Sequence, residues 1–134
     1  INCHNGAMFS DNQFHNLGLT YYKRKYEDLG LYNFTKNPDD VGKFKTPGLR
    51  NVMNTGPWFH NGLFPDMEGI MNMYNVGMPF TRPTAEQAND PMFPKNDPLL
   101  RGLMLSNAEK SAIIAFLHAL SSAPVTVRVD SLPK

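Results

Sequence analysis

Cys3 and His4 are adjacent, and Cys3 is the single cysteine of the 134-residue chain. A thiol followed directly by an imidazole ends the Cys-x-x-Cys-His pattern, in which two thioether bonds hold a haem and the histidine binds its iron. The segment from Ile1 to His4 supplies only the end of that pattern, so we expect the first cysteine to precede Ile1, or the haem to be held by one thioether. The alternative is a small buried cysteine beside a surface histidine.

Tyr74 falls on a predicted helix from Asp66 to Val76 that ends at Gly77. Its buried face has the i, i+3, i+4, i+7 spacing, at Met67, Ile70, Met71 and Tyr74. This face therefore holds a tyrosine among methionines, and Tyr74 could be a core tyrosine with a satisfied hydroxyl group.

Two further helices are predicted from their first residues. Thr46-Pro47 suits a helix start that Gly56-Pro57 ends, with Leu49 and its neighbours on one face. Ser106 and Glu109 form a capping box, and the core face of the helix that follows is predicted at Ile113, Phe116, Leu117 and Leu120.

The remaining segments are predicted to be irregular. Residues 37–40, Asn-Pro-Asp-Asp, indicate a surface turn, and residues 79–105 hold five prolines and form a long loop. The alternation of valines over 125–129 indicates an edge strand or an extended tail. These short helices and long connections predict an all-α fold in which something other than side chains fills the middle.

Composition excludes several classes of protein. A net charge of +1 gives no basic surplus to neutralise nucleic-acid phosphates, and no apolar run is long enough for a membrane helix. One cysteine allows no intramolecular disulfide. Because the chain begins at Ile1, with neither an initiator methionine nor a signal peptide, we expect a mature or cut product.

Four segments taken together carry a resemblance to a known family. They are Cys3 to Gly6 (CHNG), Phe14 to Leu19 (FHNLGL), Phe44 to Asn51 (FKTPGLRN) and Thr55 to Gly62 (TGPWFHNG), in this order. The chain resembles, from residue 3 to about 121, the C-terminal haem domain of bacterial dihaem cytochrome c peroxidases and of MauG-type enzymes. The resemblance implies that residues 1–134 are one cytochrome-c-like, all-α domain around a covalent haem c.

The resemblance also implies a division of labour between two domains. An N-terminal domain outside this chain would hold the peroxidatic haem, where hydrogen peroxide is reduced to water. The present domain would pass on electrons from a small periplasmic cytochrome or cupredoxin, and alone it would be inactive. It implies an exported, periplasmic protein and leaves a homodimer open.

Family resemblance gives candidate roles to individual residues. His4 would be the proximal iron ligand and Cys3 a thioether anchor. The distal ligand of the family, methionine in the peroxidases and tyrosine in MauG-type enzymes, falls seventeen residues after Pro57, at Tyr74, with Met71 or Met78 as alternatives. A phenolate oxygen stabilises ferric iron, whereas a methionine thioether favours ferrous iron. Backbone oxygens of Thr55 and Pro57 would bind calcium, with the remaining protein ligand in the other domain.

Three motif residues and one arginine complete the set of candidates. Arg50 could pair with a haem propionate, because guanidinium binds carboxylates with two hydrogen bonds, or could be an exposed surface residue. His15 and His60 are expected to be hydrogen-bonded structural histidines. Trp58 is expected to pack against the cofactor.

Three alternative functions remain open at this point. One is a MauG-like dihaem enzyme that oxidises a protein substrate, which a tyrosine at position 74 favours. Another is a stand-alone monohaem electron carrier. The third is a haem-free helical binding module in which the pairing of Cys3 with His4 is incidental.

Overall fold

Short helices separated by long loops form the framework of the chain, for which the computed structural model describes residues 2–123. Helix α1 spans Tyr32–Thr35, α2 spans Met67–Asn75 and α3 spans Asn107–Ala119. Single 3-10 turns are formed at Pro38–Asp40, Val52–Asn54 and Ala85–Gln87. The predicted class, a small helical domain with long loops, is therefore confirmed. The strand predicted over 125–129 lies outside the described residues.

One small sheet was not predicted from the sequence. Strand β1, Phe14–His15, pairs antiparallel with β2, Phe44–Lys45, so that Phe14 lies opposite Lys45 and His15 opposite Phe44. The pairing continues for one residue, because the backbone N–H of Thr46 donates to the carbonyl of Gln13. The sheet thus joins the segment after Cys3-His4 to the middle of the chain.

The prediction of a helix from Thr46 is wrong. The Ser10 hydroxyl donates to the Thr46 carbonyl, and the N–H of Leu49 donates to the Met8 carbonyl, so other segments use the polar groups that a helix would need. Only a 3-10 turn over Val52–Asn54 follows, after Asn51 in the left-handed region at φ 60°. The apolar residues predicted on one face, Leu49, Val52 and Met53, still pack against the core.

Helix α2 begins and ends as its sequence predicts. The Asp66 carboxylate accepts from the N–H of Gly69 at 2.6 Å, which caps the first turn. At the other end the N–H of Gly77 donates to the Tyr74 carbonyl and that of Met78 to the Met73 carbonyl, with Gly77 at φ 94°. This is a Schellman motif, in which glycine tolerates the left-handed backbone, and it fixes the turn of helix that carries Tyr74.

Helix α3 also begins at its predicted capping box. The Ser106 hydroxyl accepts from the N–H of Glu109, and the Glu109 carboxylate accepts from the N–H of Ser106. Of the predicted core face, Leu117 is buried and Ile113 and Leu120 are partly buried. Phe116 was wrongly predicted to lie in the core: it is 47% exposed and packs edge-on against Phe9, with the ring centroids 5.6 Å apart.

The hydrophobic core is small. Met67 and Ile70 of α2 pack against Leu117 of α3, and these three are the buried members of the core cluster found in residues 2–123. Partly buried side chains surround them, including Trp58, Phe59 and Tyr74. In the same described residues no helix combines the length and apolar character that crossing a membrane requires.

The long loop over 79–105 is attached to the rest of the domain by polar contacts. The N–H of Asp97 donates to the Asn16 carbonyl, and the Tyr22 hydroxyl donates to the Asp90 carboxylate. Near its end the loop bonds to Asn75, the last residue of α2. A proline-rich segment with few buried apolar residues is thereby ordered by hydrogen bonds instead of by a core of its own.

Candidate functional site

A tight loop presents Cys3 and His4. The N–H of Asp11 donates to the Cys3 carbonyl at 2.8 Å, and the N–H of Ser10 donates to the Asn5 carbonyl at 2.9 Å, so the chain turns back on itself after His4. Phe9 sits in the left-handed region at φ 52°, which directs its carbonyl towards the histidine ring. The Cys3 side chain is half-buried, and burial, followed by the negative charges of Asp11 and Asp97, raises its pKa.

The imidazole of His4 is oriented by one hydrogen bond. Its Nδ1 lies 2.9 Å from the Phe9 carbonyl oxygen. A carbonyl can only accept, so Nδ1 carries the proton, and Nε2 of the neutral ring keeps its lone pair. Metal-binding histidines have the same arrangement, in which the second nitrogen donates to a backbone carbonyl and fixes the ring. The donor set at Cys3 and His4 therefore fits a covalently attached haem.

The pKa of Tyr74 links this side chain to Cys3. Burial, followed by the negative charge of a Cys3 thiolate, raises the pKa of Tyr74 to about 12. Tyr74 packs against the core cluster, with its ring centroid 6.3 Å from that of Phe59. Within residues 2–123 the phenol oxygen has no hydrogen-bond partner. A phenol without a partner is suited to donate its oxygen to a bound metal.

The two methionine alternatives are both buried. Met71 lines a groove between α2 and α3 together with Glu68 and Lys110, so it belongs to the α3 side of its helix. Met78 follows the Schellman motif and is 5% exposed.

Arg50 lies beside the loop that presents Cys3 and His4. Its Nε donates to the Ala7 carbonyl at 2.8 Å, and the guanidinium lies over the Phe9 ring, 5.7 Å from the centroid. The residue is exposed, so the rest of its guanidinium faces solvent. Arg50 thus supports the loop and still has N–H groups for a carboxylate.

Thr55 and Pro57 lie in an exposed turn after the 3-10 segment. The Thr55 hydroxyl donates to the Val52 carbonyl at 2.9 Å. Among residues 2–123, neither the Thr55 nor the Pro57 carbonyl accepts a hydrogen bond. Both oxygens are therefore available to a hard cation.

Three other residues of the motifs are held by contacts with protein groups. His60 stacks on Phe44 with ring centroids 3.7 Å apart, and burial lowers its pKa. Trp58 packs against the core cluster, and its indole N–H donates to the Val52 carbonyl at 2.9 Å. His15 is held between two carboxylates, Asp11 and Asp97.

The two carboxylates around His15 were missed by the sequence analysis. Asp11 lies four residues before His15, but it lies in a loop and not on a helix. The i, i+4 spacing therefore did not predict a contact between the two side chains. Asp97 lies 82 residues further along the chain, and only the folded structure brings it 2.6 Å from the ring. Cys3 Sγ, a carboxylate oxygen of Asp11 and a ring nitrogen of His15 all lie within 4.8 Å of one another. This cluster therefore borders the candidate haem site.

Comparison with known proteins gives relatives along almost the whole chain. No protein-family model matches the chain. Cytochrome-c peroxidase IdrP2 of Denitromonas iodatirespirans is 32% identical over an alignment of 158 positions, gaps included, which covers 99% of this chain and 39% of that protein. Methylamine utilization protein MauG of Paracoccus denitrificans is 31% identical, over 84% of this chain and 34% of its own length.

A solved structure shows the same relationship in three dimensions. The crystal structure of a MauG-like protein associated with microbial copper homeostasis superposes with a TM-score of 0.73 and 28% identity, over 90% of this chain and 42% of that one. The chain spans about two fifths of the length of the curated relatives it matches. It therefore belongs to the family of cytochrome-c peroxidases and MauG proteins and corresponds to one part of such a protein.

Proposed function

We propose that this chain is the C-terminal, electron-transfer haem domain of a dihaem peroxidase. Electrons from a small periplasmic cytochrome or cupredoxin pass through this domain to an N-terminal peroxidatic domain. There one hydrogen peroxide takes two electrons and two protons and gives two waters. Haem c, when bound, supplies a one-electron couple. The relatives named cytochrome-c peroxidases support this proposal.

The observation that carries the proposal is the hydrogen bond from His4 to the Phe9 carbonyl. It orients the imidazole through Nδ1 and leaves Nε2 free of this contact, next to the sole thiol of the chain. Metal-binding histidines are oriented in the same way. Cys3 would form the thioether bond, and His4 would be the proximal iron ligand.

Tyr74 is proposed as the distal ligand. Its ring packs against the core cluster and Phe59, and burial, followed by the charge of a Cys3 thiolate, raises its pKa. A tyrosinate oxygen stabilises the ferric state, so its binding to iron would offset the cost of deprotonating a phenol with a pKa of about 12. Met71 and Met78 remain the alternatives, and Arg50 would pair with a propionate.

The small core supports the presence of a large bound group. Among the described residues, three buried side chains form the core cluster, while Phe34, Val76, Phe80 and Met104 are more than 70% exposed. A cofactor that occupies the interior supplies apolar contacts that side chains do not supply here.

Spectroscopy of protein matured with haem tests the proposal directly. The full-length protein should show a Soret band that survives denaturation and acid-acetone extraction, because the haem is covalent. Cys3→Ser should release the haem of this domain where Cys3 forms the single thioether, and should leave one thioether where a cysteine precedes Ile1. His4→Gly should remove the low-spin spectrum that imidazole gives. His118→Gln, an exposed change on α3, should alter neither. Haem-free protein from a haem-maturing host would overturn the proposal.

A MauG-like activity is the second candidate, and Tyr74 favours it. In that case the electrons come from a protein substrate instead of a small donor protein. Peroxide turnover with a reduced cytochrome or cupredoxin supports the peroxidase. Peroxide-dependent oxidation of a protein substrate without such a donor supports the MauG-like enzyme.

Calcium and export complete the proposal. The exposed carbonyl oxygens of Thr55 and Pro57 would contribute to a calcium site completed by the other domain. Since haem c is attached outside the cytoplasm in bacteria, the proposed covalent haem implies a periplasmic protein. Alone, this domain is expected to bind calcium weakly and to have no peroxidase activity.

A further inference from the structure

We propose that His15, clamped between Asp11 and Asp97, is a proton site coupled to the redox state of the haem held by Cys3. It takes up a proton from solvent when this haem gains an electron and releases it when the electron leaves. The inference rests on the proposed haem at Cys3 and adds a role for a residue that the proposed function leaves unused.

Geometry requires protonation of the ring. His15 Nδ1 lies 2.6 Å from an Asp97 carboxylate oxygen, and Nε2 lies 2.9 Å from an Asp11 carboxylate oxygen. Carboxylates can only accept, so both contacts are hydrogen bonds only when both nitrogens carry protons. A neutral ring would leave a lone pair facing one of the two anions. The clamp therefore binds imidazolium in preference to imidazole.

The cluster is shielded enough for its charge to matter. The side chains of His15, Asp11 and Asp97 are 14%, 16% and 17% exposed. Burial on its own lowers the pKa of His15, but the hydrogen bonds to Asp97 and Asp11 outweigh burial and raise the pKa overall. With the ring protonated the three groups carry a net charge of −1, and proton loss makes it −2.

The cluster is adjacent to the atom that would carry the porphyrin. A carboxylate oxygen of Asp11 and a ring nitrogen of His15 lie within 4.8 Å of the Cys3 thiol sulfur. After burial, the charges of Asp11 and Asp97 are the main causes that raise the pKa of that thiol. The electrostatic field of the cluster thus already acts at the position of the thioether bond.

Asp11 and Asp97 are the charged groups that face His15 within residues 2–123. On the neighbouring strand β2, Lys45 directs its ammonium to the Asn12 side chain at 2.8 Å. The Asp97 carboxylate also accepts from the N–H of Leu99, and the Asp11 carboxylate from that of Gln13. These bonds hold both carboxylates in place when the proton on His15 leaves.

The sign of the coupling follows from charge. An electron added to the haem makes the neighbourhood more negative, favours imidazolium and raises the pKa of His15. A unit charge that changes about 12 Å away, in an effective dielectric constant of about 20, alters a proton dissociation constant about tenfold. His15 therefore has one pKa when the haem is oxidised and a higher pKa when the haem is reduced. Between these two pKa values the midpoint potential of this haem should fall as the pH rises.

The test is a redox titration of the haem-loaded, full-length protein between pH 5 and 10, followed at the absorption bands of this haem. Wild type should show the fall in potential, and His15→Gln should lose that step while keeping the haem. His118→Gln, an exposed histidine on α3, should keep the step. Asp97→Asn preserves a hydrogen-bonding side chain but removes a negative charge. It should move the fall in midpoint potential to lower pH, and it should raise the midpoint potential at pH values above that fall.

The outcomes separate the two proposals. Absence of haem on Cys3 in the wild type would contradict the proposed function. Haem present, with the same pH profile in wild type and His15→Gln, would overturn the proton site alone. Should His15→Gln fail to mature, an unmoved step in Asp97→Asn would overturn it equally.

Discussion

The side-chain amide of Asn75 forms two hydrogen bonds with the backbone of Leu105. Its Nδ2 donates to the Leu105 carbonyl at 3.1 Å, and its Oδ1 accepts from the Leu105 N–H at 2.6 Å. The Asn75 carbonyl also accepts from the N–H of Leu103. The residue after Tyr74 is thereby joined to the end of the 79–105 loop, so the loop fixes the helical turn that presents the phenol.

Asn75→Ala should destabilise the protein by about 1–3 kcal/mol, because both Leu105 backbone groups lose partners in a partly buried place. Urea unfolding of the haem-loaded protein measures the effect. Asn72→Ala on the same helix is the matched control: its Oδ1 accepts from the exposed Lys110 ammonium, and its loss should cost less than about 0.5 kcal/mol. Equal losses in the two variants would contradict a specific role for Asn75.

Tyr74→Phe should keep the fold and change the haem spectrum. The phenol oxygen has no hydrogen-bond partner in the described part of the chain, so its removal leaves no protein group unsatisfied. Loss of a tyrosinate ligand should remove its charge-transfer absorption and raise the midpoint potential, and Tyr74→Met should raise the potential further. Met71→Leu serves as control. A spectrum altered by Met71→Leu and not by Tyr74→Phe would assign the ligand to Met71.

Ser106→Ala should lower the free energy of unfolding by about 1 kcal/mol, because the hydroxyl caps the N–H of Glu109 at the start of α3. Ser111→Ala, in the exposed middle of the same helix, should leave stability unchanged or raise it slightly, since alanine has the higher helix propensity. Thermal unfolding of both variants measures the difference. A loss at Ser111 as large as that at Ser106 would refute the capping argument.

Stability should be greatest between about pH 4 and pH 6.5. Hydrogen bonds from Lys23 and Met92 lower the pKa of Asp90 to about 2, and a backbone hydrogen bond from Gln13 lowers that of Asp11 to about 2. Depressed carboxyl pKa values stabilise the fold above the unfolded pKa near 4, and this contribution is lost as the pH falls towards 2. The raised pKa of His15 stabilises it below about 6.5 and is lost as the pH rises through the folded value.

Urea midpoints measured across pH check this profile. Asp90→Asn should flatten the acid side of the curve, because one of the depressed carboxyls is gone. Asp39→Asn should have little influence, since the ion pair of Asp39 with Lys95 lies on the open surface. An acid limb unaltered by Asp90→Asn would show that the hydrogen bonds of Asp90 do not contribute.

Local sequence signals predicted the elements whose ends and faces lie within a few residues. The Asp66 cap, Gly77 and the box of Ser106 and Glu109 placed α2 and α3, because capping depends on neighbours along the chain. The adjacency of Cys3 and His4 likewise suggested the chemistry of the site. How His4 is oriented follows from the left-handed Phe9, which no sequence rule indicated.

Long-range contacts account for what the sequence did not predict. Thr46 is a good helix cap, yet its backbone N–H pairs with Gln13 from another segment, so tertiary hydrogen bonds override its local preference. Phe116 has the spacing of a core residue, but its ring packs against Phe9, which lies outside the core cluster, and it remains partly exposed. The contact of His15 with Asp97 joins residues 82 positions apart.

The small core cluster of Met67, Ile70 and Leu117 has a consequence for how fast the protein is degraded in the cell. A core cluster with three buried members should leave part of the resistance to opening to the group that the chain binds, and a covalent group cannot be lost by dilution. Copies that miss the attachment step should therefore be digested quickly by proteases, so that degradation itself screens out polypeptides that failed to mature.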